Sequence, residues 1–236
     1  MEKDKRLPGL QDDSIDAALL RMRRLDRRIE YGTEQLLNTK QHKNIKNLII
    51  HAISSYNVPH QHETMLFYKV MYMLDKVLAK KKVKEQQIEM YAMTCLVIQW
   101  KMELIIHSPG YEDIAYYLDD IDITAKHLMN IELEILQILD YQCYVVTAYD
   151  FVRAFMCYGC YYHGQFEREE FLALVTNQID KLQSQKFPYS IRQFRSESIA
   201  YLCIWRARKR SLGPLKKIYN KQYRSVYIKD LDKKLR

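Results

Sequence analysis

Glycine and proline are scarce in this 236-residue chain, six and five residues respectively. That scarcity removes the punctuation that hairpins and loop-rich folds require, so a strand-based architecture would be hard to connect. No apolar run reaches the roughly 18 residues of a membrane span. The opening residues, MEKDKRLPGLQDD, are charged and lack the apolar core of a signal peptide. Five cysteines, an odd and dispersed set, do not make a disulfide framework, and reduced thiols in helices behave as small apolar side chains. A soluble intracellular protein, nuclear, cytoplasmic or both, is therefore expected. Catalytic constellations are missing as well: no phosphate-cradling glycine loop, no kinase lysine–aspartate set, no nucleophile elbow and no H-E-x-x-H. Cys157 and Cys160 have C-x-x-C spacing with His163 nearby. No second pair and no βαβ pattern accompanies them, and helix packing is the expectation. No catalytic residue, no metal and no cofactor are expected, and the chain is read as not an enzyme.

What is present is core material and positive charge. The chain is 48% hydrophobic with a net charge of +8 and an isoelectric point near 9.1, which suits an acidic partner surface or nucleic acid. An N-terminal helix is expected from an Asp13 cap through ALLRMRRLDRRIEYG to Gly32. From His42, the residues Ile45, Leu48, Ile49, Ala52, Ile53 and Tyr56 recur as one face of a second helix. ETMLFYKVMYMLDKVLAK and the segment from Glu85 to about Ile105 are apolar nearly all round, as helices enclosed by others should be. A short element, YEDIAYYL, follows Pro109 and Gly110. A helix from Thr124 carries Leu128, Ile131, Ile135 and Ile138 as a seam, with Glu132, Leu136 and Leu139 lining one side. After a T-x-x-D capping arrangement at Thr147 and Asp150, helical patterns recur at 148–161, 167–185 and 195–210. The spacing A-x2-C-x5-K at Ala92, Cys95 and Lys101 returns at Ala200, Cys203 and Lys209, 108 residues on, which suggests an internal repeat.

Two charges sit awkwardly in apolar helices: Lys101 near the end of one, Glu132 inside another. A charge stranded in a core costs several kcal/mol, so each must reach a partner or the surface. The plain account is a lysine capping a helix C-terminus and a solvated glutamate.

Resemblance adds a sharper one. AMTCLVIQWKMELI resembles the third cyclin-box helix, which ends near A-S-K-Y-E-E. IELEILQILDYQCYVVTAYDFVRAF is similar to the fifth helix and its exit, and ETMLFYKVMYMLDKVLA to the second, with its E-T start and L-D-R-F-L end. The resemblance is to the cyclin family, close over 42–156 and looser beyond. It implies an all-α cyclin fold: two consecutive five-helix repeats after an N-terminal helix, the second degenerate or shortened. The implied division is an N-terminal extension at 1–40, a first cyclin box at 41–146, and a second repeat with a basic tail at 147–236. The family's lysine and glutamate, which hold the backbone around the αC helix of a kinase, fall on Lys101 and Glu132. Leu136, Tyr141 and Cys143 fall at its apolar contact positions, and Met102 stands where an aromatic is usual. Asp75 keeps the structural aspartate of L-D-R-F-L, with Lys76 for its arginine, and Leu104 replaces the second glutamate of E-E. The pattern M-R-A-I-L-x-D-W is absent from NIKNLIIHAI, which leans toward a divergent cyclin.

The implied function is that of a non-catalytic subunit that binds and activates a cyclin-dependent protein kinase as a heterodimer. Kinase substrates would be further contacts, no membrane is involved, and any nucleic-acid contact is non-specific. A transcription-factor-IIB-like, DNA-associated protein with two cyclin repeats would suit RMRRLDRR and WRARKRS, and a structural helical adaptor would need no special residues. Lys80, Lys81, Lys82 and Lys84, in KKKVK between two helices, read either as a nuclear import signal or as a solvated loop.

Overall fold

Apolar stripes at helical spacing are buried only by packing helix on helix, and the chain does so throughout. The computed structural model describes residues 12–26, 37, 39–56, 58, 60–103, 108–118, 123–157, 168–183 and 194–211. Its helices are α1 (Asp12–Leu25), α2 (Thr39–Ser54), α3 (His60–Lys80), α4 (Ile88–Glu103), α5 (Tyr111–Tyr116), α6 (Ala125–Ile138), α7 (Ala148–Cys157), α8 (Arg168–Gln183) and α9 (Ser196–Ser211). One 3₁₀ turn, Glu85–Gln87, leads into α4. Among the described residues there is no strand, and no helix is long and apolar enough to cross a membrane. The fold is all-α.

Two compact units divide the chain: Ile29–Val145, and Met1–Arg28 together with Val146–Arg236. In the first, α4 is the central helix, packed against α2, α3 and α6. Its residues are buried without a break from Met90 to Trp100, which is why no single apolar face could be read from its sequence. On α2, Ile45, Ile49, Ala52 and Ile53 are all in the core, each large aliphatic side chain worth about 1.5–3 kcal/mol of burial. The α6 seam buries Leu128, Ile131 and Ile135. Thr124 caps that helix, its Oγ1 accepting from the His127 amide at 3.4 Å. The buried Gln99 donates from Nε2 to the Cys143 carbonyl at 2.9 Å, fixing the segment that leaves α6 to the C-terminal part of α4.

In the second unit α9 packs on α7 and α8, and α1 on α7. The Thr147–Asp150 cap forms as its spacing indicates: the Thr147 amide donates to Asp150 Oδ2 at 2.8 Å and the Asp150 amide to Thr147 Oγ1 at 3.4 Å. Helix α1 begins one residue before the expected Asp13 cap and ends at Leu25, not near Gly32; residues 27–36 lie outside the described ones. The sequence continues in a helical pattern past Leu25, but a tertiary contact takes over there. The Asp26 carboxylate accepts from the amides of Ser196 and Glu197 at 3.1 and 3.3 Å, capping α9 from a distant part of the chain. Arg23, one turn earlier, donates from Nε and Nη2 to Glu197 at 2.9 and 2.7 Å.

The repeated A-x2-C-x5-K spacing has a structural counterpart. Ala92 and Cys95 are fully buried in α4, Ala200 and Cys203 fully buried in α9, and burial pushes both thiols far up. Lys101 and Lys209 each stand at the exposed end of that helix with the ammonium 5.1 Å from an aromatic centroid, Tyr111 in one case and Trp205 in the other.

Candidate partner-binding site

Helix α4 leaves the core between two consecutive residues. Trp100 is buried; Lys101 follows, 45% exposed at its side chain, and its Nζ lies 2.8 Å from Glu132 Oε1, itself 21% exposed, on α6. Neither charge is stranded. Lys101 lies in the last turn of α4, where a cation opposes the negative end of the helix dipole, and it also bonds the glutamate that resemblance paired it with. An ion pair this exposed contributes about 0–1 kcal/mol, so stability alone does not account for it.

Beneath the pair lies a residue that sequence reasoning missed. Tyr111, the first residue of α5, is only 7% exposed, and its ring lies under the Lys101 ammonium. Burial first, then a hydrogen bond to Glu132 and that carboxylate's charge, push the Tyr111 phenol well above its ordinary range. No local signal could have found Tyr111, because nothing in YEDIAYYL indicates which end of α4 it will face.

Exposed apolar side chains lie on the same and adjoining segments. Met102, Met129, Leu133, Tyr141 and Tyr144 are exposed and Leu136 is half-buried. On α6, Met129, Glu132, Leu133 and Leu136 fall at i, i+3, i+4 and i+7, one face of the helix. Met129 and Leu133 were legible as apolar residues outside the buried seam, a signal the seam itself obscured. Cys143 is buried. Burial first, then the charge of Glu132, raise its thiol pKa, against a lowering from Lys76.

Tyr141 is 66% exposed and has a φ of 58°, after Asp140 at 50°. The end of α6 is a Schellman turn: the Tyr141 amide donates to the Leu136 carbonyl at 2.8 Å and the Asp140 amide to Gln137 at 3.0 Å. Glycine usually takes the left-handed position. Here two side-chain-bearing residues occupy such positions, at about 1 kcal/mol or more each, and the result is an aromatic ring held out in solvent.

Glu103, one residue past Met102, pairs with Lys69 of α3, a lysine whose side chain is only 3% exposed and whose ammonium is 5.2 Å from the Tyr144 centroid. Leu104 lies outside the described residues. Asp75 is half-buried on α3, and the ammonium of Lys76 lies 5.2 Å from the Tyr72 centroid. Two of the four lysines read as an import signal are engaged within the fold. Lys80 donates to the Ile138 carbonyl at 2.9 Å, and Lys81 bonds Glu134 and, at 3.0 Å, the Tyr91 hydroxyl. Lys82 and Lys84 are exposed. The side chain of Cys157, with Cys160 and His163, lies outside what is described.

Comparison with known proteins bears on the same segment. The solved X-ray structure of a viral cyclin from herpesvirus saimiri superposes with a TM-score of 0.66 over 94% of this chain and 93% of its own, at 14% identity, a likeness of fold. Cyclin-A2-4 of Arabidopsis thaliana is 27% identical over 123 residues, 52% of this chain and 26% of that protein, so the match spans about a quarter of that relative. The family model for the cyclin N-terminal domain matches residues 21–144, which include α2 to α6 and the Lys101–Glu132 pair. That match covers more than half of the sequence, and the chain belongs to the cyclin family.

Proposed function

We infer that this chain is the non-catalytic regulatory subunit of a cyclin-dependent protein kinase. The observation that carries the reading is the Lys101–Glu132 pair, 2.8 Å apart, with Met102, Met129, Leu133 and Tyr141 exposed on the same or adjoining segments. A cation and a carboxylate side by side offer a donor set and an acceptor set to a partner's backbone, and the surrounding apolar side chains supply burial once water is excluded. The strained Tyr141 supports the same surface, because strain persists where a projected side chain has a use.

The physical task is a population shift. A protein kinase transfers phosphate only when the glutamate of its αC helix pairs with the β3 lysine. A subunit that binds the αC-in state better than the αC-out state moves the equilibrium, and a change from 1:99 to 99:1 needs about 5.5 kcal/mol of differential affinity. Buried apolar contact plus two charge-assisted hydrogen bonds is of that order.

The DNA-associated alternative draws on the basic clusters, and those clusters are partly used inside the protein. Arg23 is bonded to Glu197, Arg208 is buried, and Lys209 lies over Trp205. The deciding experiment is affinity capture from the source organism followed by a reconstituted phosphorylation assay. A protein kinase recovered as the main partner, and made active by this chain, is the expected result; a promoter complex without a kinase would replace the reading.

A further inference from the structure

We propose that Lys80 and Lys81 form a clamp on α6, fixing the roll of that helix and so the aim of its partner-binding face. The identity of the partner rests on the kinase-binding reading; the clamp rests on geometry. Lys81 donates to one carboxylate oxygen of Glu134, the Tyr91 hydroxyl donates to the other, and Lys81 also donates to the Tyr91 hydroxyl at 3.0 Å. This closed triangle ties the end of α3 and the start of α4 to α6. Its tyrosine is only 2% exposed, so the attachment is anchored in the core. One residue earlier, Lys80 Nζ donates to the Ile138 carbonyl at 2.9 Å, taking up one of the carbonyls that a helix end leaves over. Glu134 and Ile138 are four residues apart, one above the other along α6.

At 3.6 residues per turn, Glu132 lies about 160° round the axis from Glu134, with the buried Leu128, Ile131 and Ile135 between them. A helix packed along one seam can still roll about it. Here Lys80 and Lys81 hold one flank and Lys101 the other, and a roll would break bonds on both sides. What the roll sets is the direction of Glu132 and of the exposed Met129 and Leu133. The side chains of Lys81 and Glu134 are 38% and 37% exposed, so their pairing contributes little stability. A face aimed before contact, however, spares part of the ordering cost of binding. The backbone of KKKVK is fixed as well. The Lys81 amide donates to the Val77 carbonyl at 2.9 Å, the Lys84 carbonyl accepts from the Gln87 amide at 2.8 Å, and Val83 between them is buried. A receptor that reads lysines on an extended strand can take the four together only by opening the clamp.

Lys80→Met and Lys81→Met, singly and together, remove the charges and keep the apolar stems. In the free chain the double change should speed amide hydrogen exchange in the last turn of α6 about tenfold and leave α2 unaltered. Against a panel of purified cyclin-dependent kinases it should weaken binding about tenfold, although both lysines hold the opposite flank of the helix from Glu132. Glu134→Gln should weaken binding like Lys81→Met, and the two combined no more than either alone. Additive losses would make Lys81 a direct contact and overturn the proposal, as would unchanged exchange in α6 or unchanged affinity for a kinase that the wild type binds. So would a purified nuclear import receptor that binds the folded chain through Lys80 and Lys81. Where the double change unfolds the chain, either single change reads the same exchange and affinity. A wild-type chain that binds no kinase of the panel ends the partner reading by itself, while exchange in α6 still decides the clamp.

Discussion

Asp26 and Ser196, 170 positions apart in sequence, are joined by a hydrogen bond of 3.1 Å from the Ser196 amide to the Asp26 carboxylate. An aspartate at the end of one helix thereby caps the start of another. Truncation to alanine, Asp26→Ala, should cost about 1–2 kcal/mol, the upper range for a lost cap, measured by urea unfolding.

The same carboxylate gives a pH prediction. Burial outweighs its hydrogen bonds and the nearby Arg195, and holds its pKa above the ordinary 3.8. A folded-state pKa raised in this way means that the native state binds the proton more tightly than the unfolded chain. The stability contributed by the group is complete below 3.8 and is lost as pH rises through the higher folded value. Wild-type stability relative to Asp26→Asn should therefore decline as pH rises from 3.8 through the folded value and level off above it. A constant difference across a pH series of unfolding curves would refute this.

Two ion pairs at the end of α4 should behave oppositely. Glu103→Ala removes the carboxylate paired with the buried ammonium of Lys69 and should destabilise the fold by about 3 kcal/mol. Lys101→Ala and Glu132→Ala break an exposed pair and should each cost below about 1 kcal/mol in the free chain. Kinase affinity, measured by calorimetry, should show the reverse order for the second pair: a loss of about 2–5 kcal/mol for either single change, and less than their sum for both together. Normal affinity in both single variants would remove the pair from the interface.

The left-handed end of α6 gives a further contrast. Asp140→Gly should stabilise the free protein by about 0.5–1 kcal/mol, relief of strain less the extra freedom of the unfolded chain; its 3.6 Å contact with Lys80 is exposed and contributes little. Tyr141→Gly should give a similar gain in melting temperature together with weaker kinase binding, because the ring is lost. Loss of stability in both variants would show that the turn is not strained.

The sequence by itself determined the helices and the order in which they come. Ile45, Ile49, Ala52 and Ile53 are buried because their spacing leaves them no other common face. Thr147 and Asp150 bond because capping is a contact across three residues. The Lys101–Glu132 pairing was reached through resemblance, since periodicity showed only that each charge needed an outlet. Tertiary structure alone decided the end of α1 at Asp26, the pairing of Glu103 with Lys69, the capture of Lys81 by Glu134, and the placing of Tyr111 beneath Lys101. The physical reason is range. Periodicity and caps act within a turn or two of chain, and are written where they act. An ion pair or a buried hydroxyl's surroundings depend on where packing brings a second segment, and that position is set jointly by every helix in the unit.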